Sequence, residues 1–253
     1  MEYKEFTIEW LIASSVIGSV ITLLVKYVFD EQITYYVRNK RKTRTIIKKY
    51  TKPLLNYGYS LERRVNNFIK NYEKKWLNTS EYYELTTMFL FAQYFSQIYI
   101  IQTELGYVEY NKYDLTHKTN LTIRNIFSSL SSHKILKSTS PKVEDGGVLK
   151  RFVITAIGEC ATIQEDKVRR PMSFIEFQES YRNMGMKDVW FQFLFDFLQN
   201  AMNKKDNSIF FDRLIFFGKE VHELNLLLDE KRIIVRNSNP SNMNKMSSKF
   251  IEK

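Results

Sequence analysis

The sequence predicts an all-α fold, with a single N-terminal transmembrane helix followed by a cytoplasmic, bundle-like helical domain. Three observations predict it. Residues Trp10 to Phe29 (WLIASSVIGSVITLLVKYVF) carry one charge, Lys26. Only four prolines and eight glycines occur in 253 residues, so helices meet few breakers. Beyond the apolar run, large apolar residues recur at helical intervals.

The apolar run comes first. At about 1.5 Å per residue, a helix over residues 10–29 covers the roughly 30 Å of a bilayer's hydrocarbon core. Eleven of its residues are Leu, Ile, Val or Phe, each favouring insertion by roughly 0.3–0.6 kcal/mol, which together outweigh the hydroxyls of Ser14, Ser15, Ser19 and Thr22. Lys26 lies near one end, where its stem can carry the ammonium to the interface. The rival readings are a buried core helix and a cleaved signal peptide. Against the second stand a start with one Lys and three Glu, and the lack of an A-x-A site.

Orientation follows from the flanks. Only Lys4 precedes the run, whereas Arg38, Lys40, Arg41, Lys42, Arg44, Lys48, Lys49 and Lys52 follow it. The positive-inside rule therefore places residues 1–9 outside and the rest in the cytoplasm. The single cysteine, Cys160, cannot form an intrachain disulfide, which suits a reducing compartment. The net charge of +10 implies acidic partners. Beside an inner leaflet, anionic lipid headgroups come first.

The basic segment 30–52 should extend the helix to Thr51, because Pro53 biases the residue before it away from helix. From 53 to 236 the chain reads as a cytoplasmic α-helical domain. Leu54, Leu61, Val65, Phe68, Tyr72 and Trp76 fall on one face of its first helix, with Glu62, Arg63, Arg64, Lys70 and Lys74 mostly between them. Residues 85–103 are uncharged and raise the question of a second crossing. Gln93, Gln97 and Gln102 interrupt them, and an amide in hydrocarbon is costly, so the segment reads as a central buried helix. Leu121 to Lys137 gives another helix, and residues 138–147 (STSPKVEDGG) mark a possible internal boundary. Helical spacing resumes from Val148 to Ile163. After Arg169-Arg170-Pro171, Ser173 and Glu176 form an S-x-x-E capping box. Asp188 to Met202 is apolar nearly all round, so it is either wholly buried, the preferred reading, or partly offered to a partner or the bilayer surface. Asn207 or Ser208 caps a last helix through Leu214, Val221 and Leu228. The polar tail 237–253 is predicted to be disordered.

Two sets of residues are candidate sites. Arg38, Lys40, Arg41, Lys42, Arg44, Lys48, Lys49 and Lys52 could bind anionic lipid or another polyanion, each contributing about 1 kcal/mol near a charged leaflet; they also suffice simply to set topology. Ser14, Gly18 and Thr22 recur every four residues beside Ser15 and Ser19, the small-residue arrangement of helix pairs in membranes, predicting homo-oligomerisation through the span. No catalytic set is predicted. His117, His133 and His222 are far apart with no metal-ligand spacing, so no metal or cofactor is expected. Cys160 falls on an apolar helix face, where an inert packed thiol is expected.

The stretch YTKPLLNYGYSLERRVNNF from Tyr50 and the helix FLFAQYFSQIYIIQTEL resemble a group of uncharacterised bacterial membrane-anchored helical proteins. These share a K/R-P-L-L-x5-L-x2-R element, matched here by Lys52, Pro53, Leu54, Leu55, Leu61 and Arg64, and a following aromatic "YF" helix. The resemblance spans about Tyr50 to Asn200, implies a bacterial inner-membrane location, and supplies no activity. The expected function is a non-enzymatic interaction, regulatory or effector module with a protein partner. A membrane-tethered enzyme acting on lipid or nucleotide is the alternative, and a nucleic-acid-binding module at the membrane comes third.

Overall fold

The computed structural model describes residues 8–71, 74, 77, 80–105, 114–132, 148–166, 168–183, 185–203 and 209–229, without the side chains of 8–14, 28, 32, 36, 39–48, 105, 114–117 and 203. Helix accounts for 88% of what is described, as the sparse breakers predict. The order is α1 (Ile8–Lys70), α2 (Glu81–Leu105), α3 (Asp114–Ser131), α4 (Arg151–Cys160), β1 (Thr162–Glu165), β2 (Val168–Pro171), α5 (Phe174–Asn183), a π-helical turn (Lys187–Phe191), α6 (Gln192–Asn203) and α7 (Ile209–Leu228). Two compact units divide the chain, Met1–Ile46 and Ile47–Lys253.

The first unit holds the N-terminal part of α1. No helix among the described residues is long and apolar enough to cross a membrane. The described side chains of the apolar run begin at Ser15; those of Trp10 to Ser14 lie outside the described set.

The second unit is built around α2. Met88, Phe91, Phe95 and Ile98 are at most 1% exposed, so residues 85–103 form the central buried helix that the glutamines predicted. Its aromatic rings join three helices: Phe91 stacks on Phe217 of α7 at 5.6 Å, and Phe95 meets Phe217 at 6.2 Å and Phe127 of α3 at 6.3 Å. Such contacts add about 0.5–1.5 kcal/mol each beyond the area they bury. Helix α4 lies close against α2, because Gly158 has no side chain. A Cβ there would stand 2.6 Å from the Phe95 carbonyl oxygen.

Four expectations need correction. The break at Pro53 is not made, since α1 continues through it to Lys70. Proline removes one helical hydrogen bond and crowds the preceding turn. Here Leu54, Leu55, Leu61 and Val65 are buried, and Gln97 of α2 donates to the Tyr50 carbonyl at 3.2 Å, so tertiary packing overrides the local preference.

The second correction concerns residues 162–171, where the helix gives way to an antiparallel hairpin pairing Thr162 with Pro171 and Glu165 with Val168. Asp166 turns it with a left-handed φ of 53°, a conformation that Asp tolerates better than most residues. The hairpin packs against α2, and the Ser96 and Thr162 hydroxyls hydrogen-bond at 2.7 Å. Glu165 pairs with Arg170 across the hairpin.

Third, Asp188 to Met202 is not buried all round. A π-helical turn opens the segment; Leu194, Leu198 and Ala201 face the core, while Val189 and Phe193 are each 53% exposed. Fourth, the helix expected to start at Leu121 begins at Asp114.

The capping box of α5 forms as predicted. The Ser173 amide donates to Glu176 Oε2 at 2.8 Å and the Glu176 amide to Ser173 Oγ at 3.4 Å. Residues 138–147, the cap of α7 at 207–208 and the tail 237–253 lie outside the described residues.

Candidate functional site

The first candidate is the N-terminal half of α1. Its large apolar side chains are uncovered: Val16, Ile17, Val20, Ile21, Leu23 and Leu24 are all 50–66% exposed. The hydroxyls among them are satisfied inside the helix. Ser19 Oγ donates to the Ser15 carbonyl at 2.8 Å and Thr22 Oγ1 to the Gly18 carbonyl at 2.7 Å. This leaves Ser15, Gly18, Ser19 and Thr22 as a stripe of small residues, with open space around Gly18. Ser14, predicted to belong to it, lies outside the described side chains.

The charges follow within a few turns. Lys26, Tyr27, Asp30 and Arg38 line one shallow groove along the helix. Lys49 and Lys52 are exposed, and the Lys49 ammonium sits 5.1 Å from the centre of the Tyr50 ring. Lys40, Arg41, Lys42, Arg44 and Lys48 have backbone in α1 and side chains outside the described set.

Cys160 behaves as an inert thiol. It is partly buried at the end of α4, burial pushes its pKa up to about 12, and its Sγ lies 3.4 Å from the Ile157 carbonyl. Thiolate chemistry needs the opposite shift.

The second candidate was not visible in the sequence. Inside the second unit, Glu62 of α1, buried to 3% exposure, meets His222 and Asn225 of α7, at 7% and 1%. Glu62 Oε1 lies 2.9 Å from His222 Nδ1, and Asn225 Nδ2 donates to Glu62 Oε2 at 2.8 Å. One turn earlier on α1, the Tyr59 hydroxyl donates to Asp229 Oδ2 at 3.3 Å. Burial and then Asp229 push the Tyr59 pKa up. The hydrogen bond to Glu62 raises His222 above the ordinary histidine value against the opposing effect of burial. Tyr94 of α2, wholly buried, is pushed upward by burial and by the Glu62 charge, and its hydroxyl has no partner.

Gly58 makes the approach possible. A Cβ there would lie 2.1 Å from Asn225 Oδ1, so any side chain would displace the amide that holds Glu62. In the sequence, Glu62 looks like one more solvated position of an amphipathic helix, and His222 like a lone histidine. The usable signals were a glycine four residues before Glu62 and the three-residue spacing of His222 and Asn225, which puts both on one face of α7.

His117 has backbone in α3 and an undescribed side chain, and His133 lies outside the described residues. No group of three or more metal-ligating side chains occurs among the described residues. Comparison with family models, curated proteins and solved structures gives no match.

Proposed function

We propose that this chain is a membrane-anchored interaction module whose residues 10–29 insert into a bilayer and whose second unit engages a protein partner on the cytoplasmic side. The exposed apolar sleeve of α1 carries this reading. Burying a Val, Leu or Ile side chain is worth about 1.5–3 kcal/mol, so Val16 to Leu24 left in water would forgo a large stabilisation. The hydroxyl bonds back to the helix support the same reading, because hydrocarbon offers no other acceptor. The positive-inside rule then sets the orientation, and Arg38, Lys40, Arg41, Lys42, Arg44, Lys48, Lys49 and Lys52 meet anionic headgroups on the inner face of a bacterial inner membrane. Ser14, Ser15, Gly18, Ser19 and Thr22 would let two such helices approach closely.

The test is partition of the full chain. Expressed in bacteria, it should sediment with membranes and resist extraction at high pH, while full recovery in the high-speed supernatant would overturn the proposal. Neutralising the eight basic residues should weaken binding to anionic vesicles without releasing the chain from native membranes. Protection of residues 1–9 from external protease in intact spheroplasts would reverse the orientation.

A further inference from the structure

The buried polar cluster has no role in anchorage, and its composition is unusual for a helical core. Two buried carboxylates, Glu62 and Asp229, stand on neighbouring turns of the contact between α1 and α7. From α1 the facing groups are Glu62 and Tyr59. From α7 they are Asn225 and the exposed Glu223, from the residue after it Asp229, and from α2 the Tyr94 hydroxyl. Among the described residues the one cation that pairs with Glu62 is His222.

We propose that His222 is a proton-operated latch that holds the second half of α1 on α7. Protonated, its imidazolium compensates the Glu62 carboxylate in a place where water is excluded. Neutral, it leaves that carboxylate buried with hydrogen bonds but no countercharge, and removing one member of a buried pair is strongly unfavourable. Asn225 and a neutral imidazole then hold Glu62 by hydrogen bonds only, and the Asn225 Oδ1 is already without a partner. Leu54, Leu61 and Val65 lie on the same stretch of α1 and are wholly buried, so opening of that stretch exposes apolar surface as well as the polar cluster.

The direction is fixed by linkage. A histidine raised by its partner contributes stability that is fully present below its unfolded value of about 6.5, and that contribution is lost as pH rises through the folded value. Between these two values the opening equilibrium should grow about tenfold per pH unit. The latch is therefore closed in mildly acidic surroundings and loosens on the alkaline side.

Amide exchange of the full chain in neutral detergent, corrected for intrinsic base catalysis, tests this. Amides at 54–70 should open increasingly between pH 6.5 and 8.5, while those at 151–160 stay unchanged. In His222→Gln the same amides should show no pH response. An equal response in His222→Gln overturns the latch. Because that variant could fail to fold, a second reading uses native His222, with His117→Gln and His133→Gln removing the other imidazoles from the carbon-proton spectrum. Titration clearly above 6.5 is expected; titration at or below 6.5 overturns the proposal.

Discussion

Val16, Ile17, Leu23 and Leu24 of α1 are 57–66% exposed, whereas Leu54, Leu61 and Val65 of the same helix are wholly buried. The residue types are alike and the backbone is the same, yet only one stretch is covered by protein. The N-terminal stretch carries its large apolar residues on a wide arc opposite the small residues Ser15, Gly18, Ser19 and Thr22, and no other described element covers that arc. The later stretch is amphipathic and needs only one covered face.

The largest effect should come from placing charge in the exposed stretch. Ile17→Arg with Val20→Arg should disfavour insertion by about 5–7 kcal/mol in total, enough to move the chain into the supernatant fraction, with far-UV circular dichroism of the second unit retained. Retention in the membrane pellet would break the comparison at its root. In the covered region, Phe91→Ala removes a ring stacked at 5.6 Å on Phe217 and should cost about 3–5 kcal/mol in denaturant unfolding. Ile21→Ala in the exposed stretch should leave that same unfolding curve within about 0.5 kcal/mol.

Gly158→Ala sharpens the packing side. Helix propensity alone predicts a gain of about 1 kcal/mol, but a Cβ 2.6 Å from the Phe95 carbonyl forces α4 away from α2, so a net loss of about 1–3 kcal/mol is expected in thermal melts. The smallest effect is Ser173→Ala, about 1 kcal/mol from the lost cap. Arg170, and then the Ser173 amide, hold the Glu176 carboxyl below the usual carboxylate range. That contribution is present above about pH 4 and is lost as pH falls through the lowered value. An acid titration of stability should show the loss in the native chain and not in Glu176→Gln.

Helix content, the central burial of residues 85–103 and the capping box at Ser173 and Glu176 were legible in the sequence because each rests on neighbours within one or two turns. The hairpin was not. Thr162, Ile163 and Gln164 carry too short a pattern to outweigh the helical spacing before them, and pairing with Arg169 to Pro171 decides their conformation. Continuation through Pro53 was equally hidden, since it depends on the face that α1 buries and on Gln97, far away in the chain.

By itself the sequence determined the apolar rod, its basic flank and the helical class, because charge, hydropathy and period are properties of consecutive residues. Only the tertiary structure decided that Glu62 and His222, 160 positions apart, meet at 2.9 Å in a buried contact, and that Gly58 leaves room for it. Long-range contacts leave little local trace: a buried glutamate and a solvated one occupy the same kind of position in a helical pattern, and what separates them is which helix comes to lie across it.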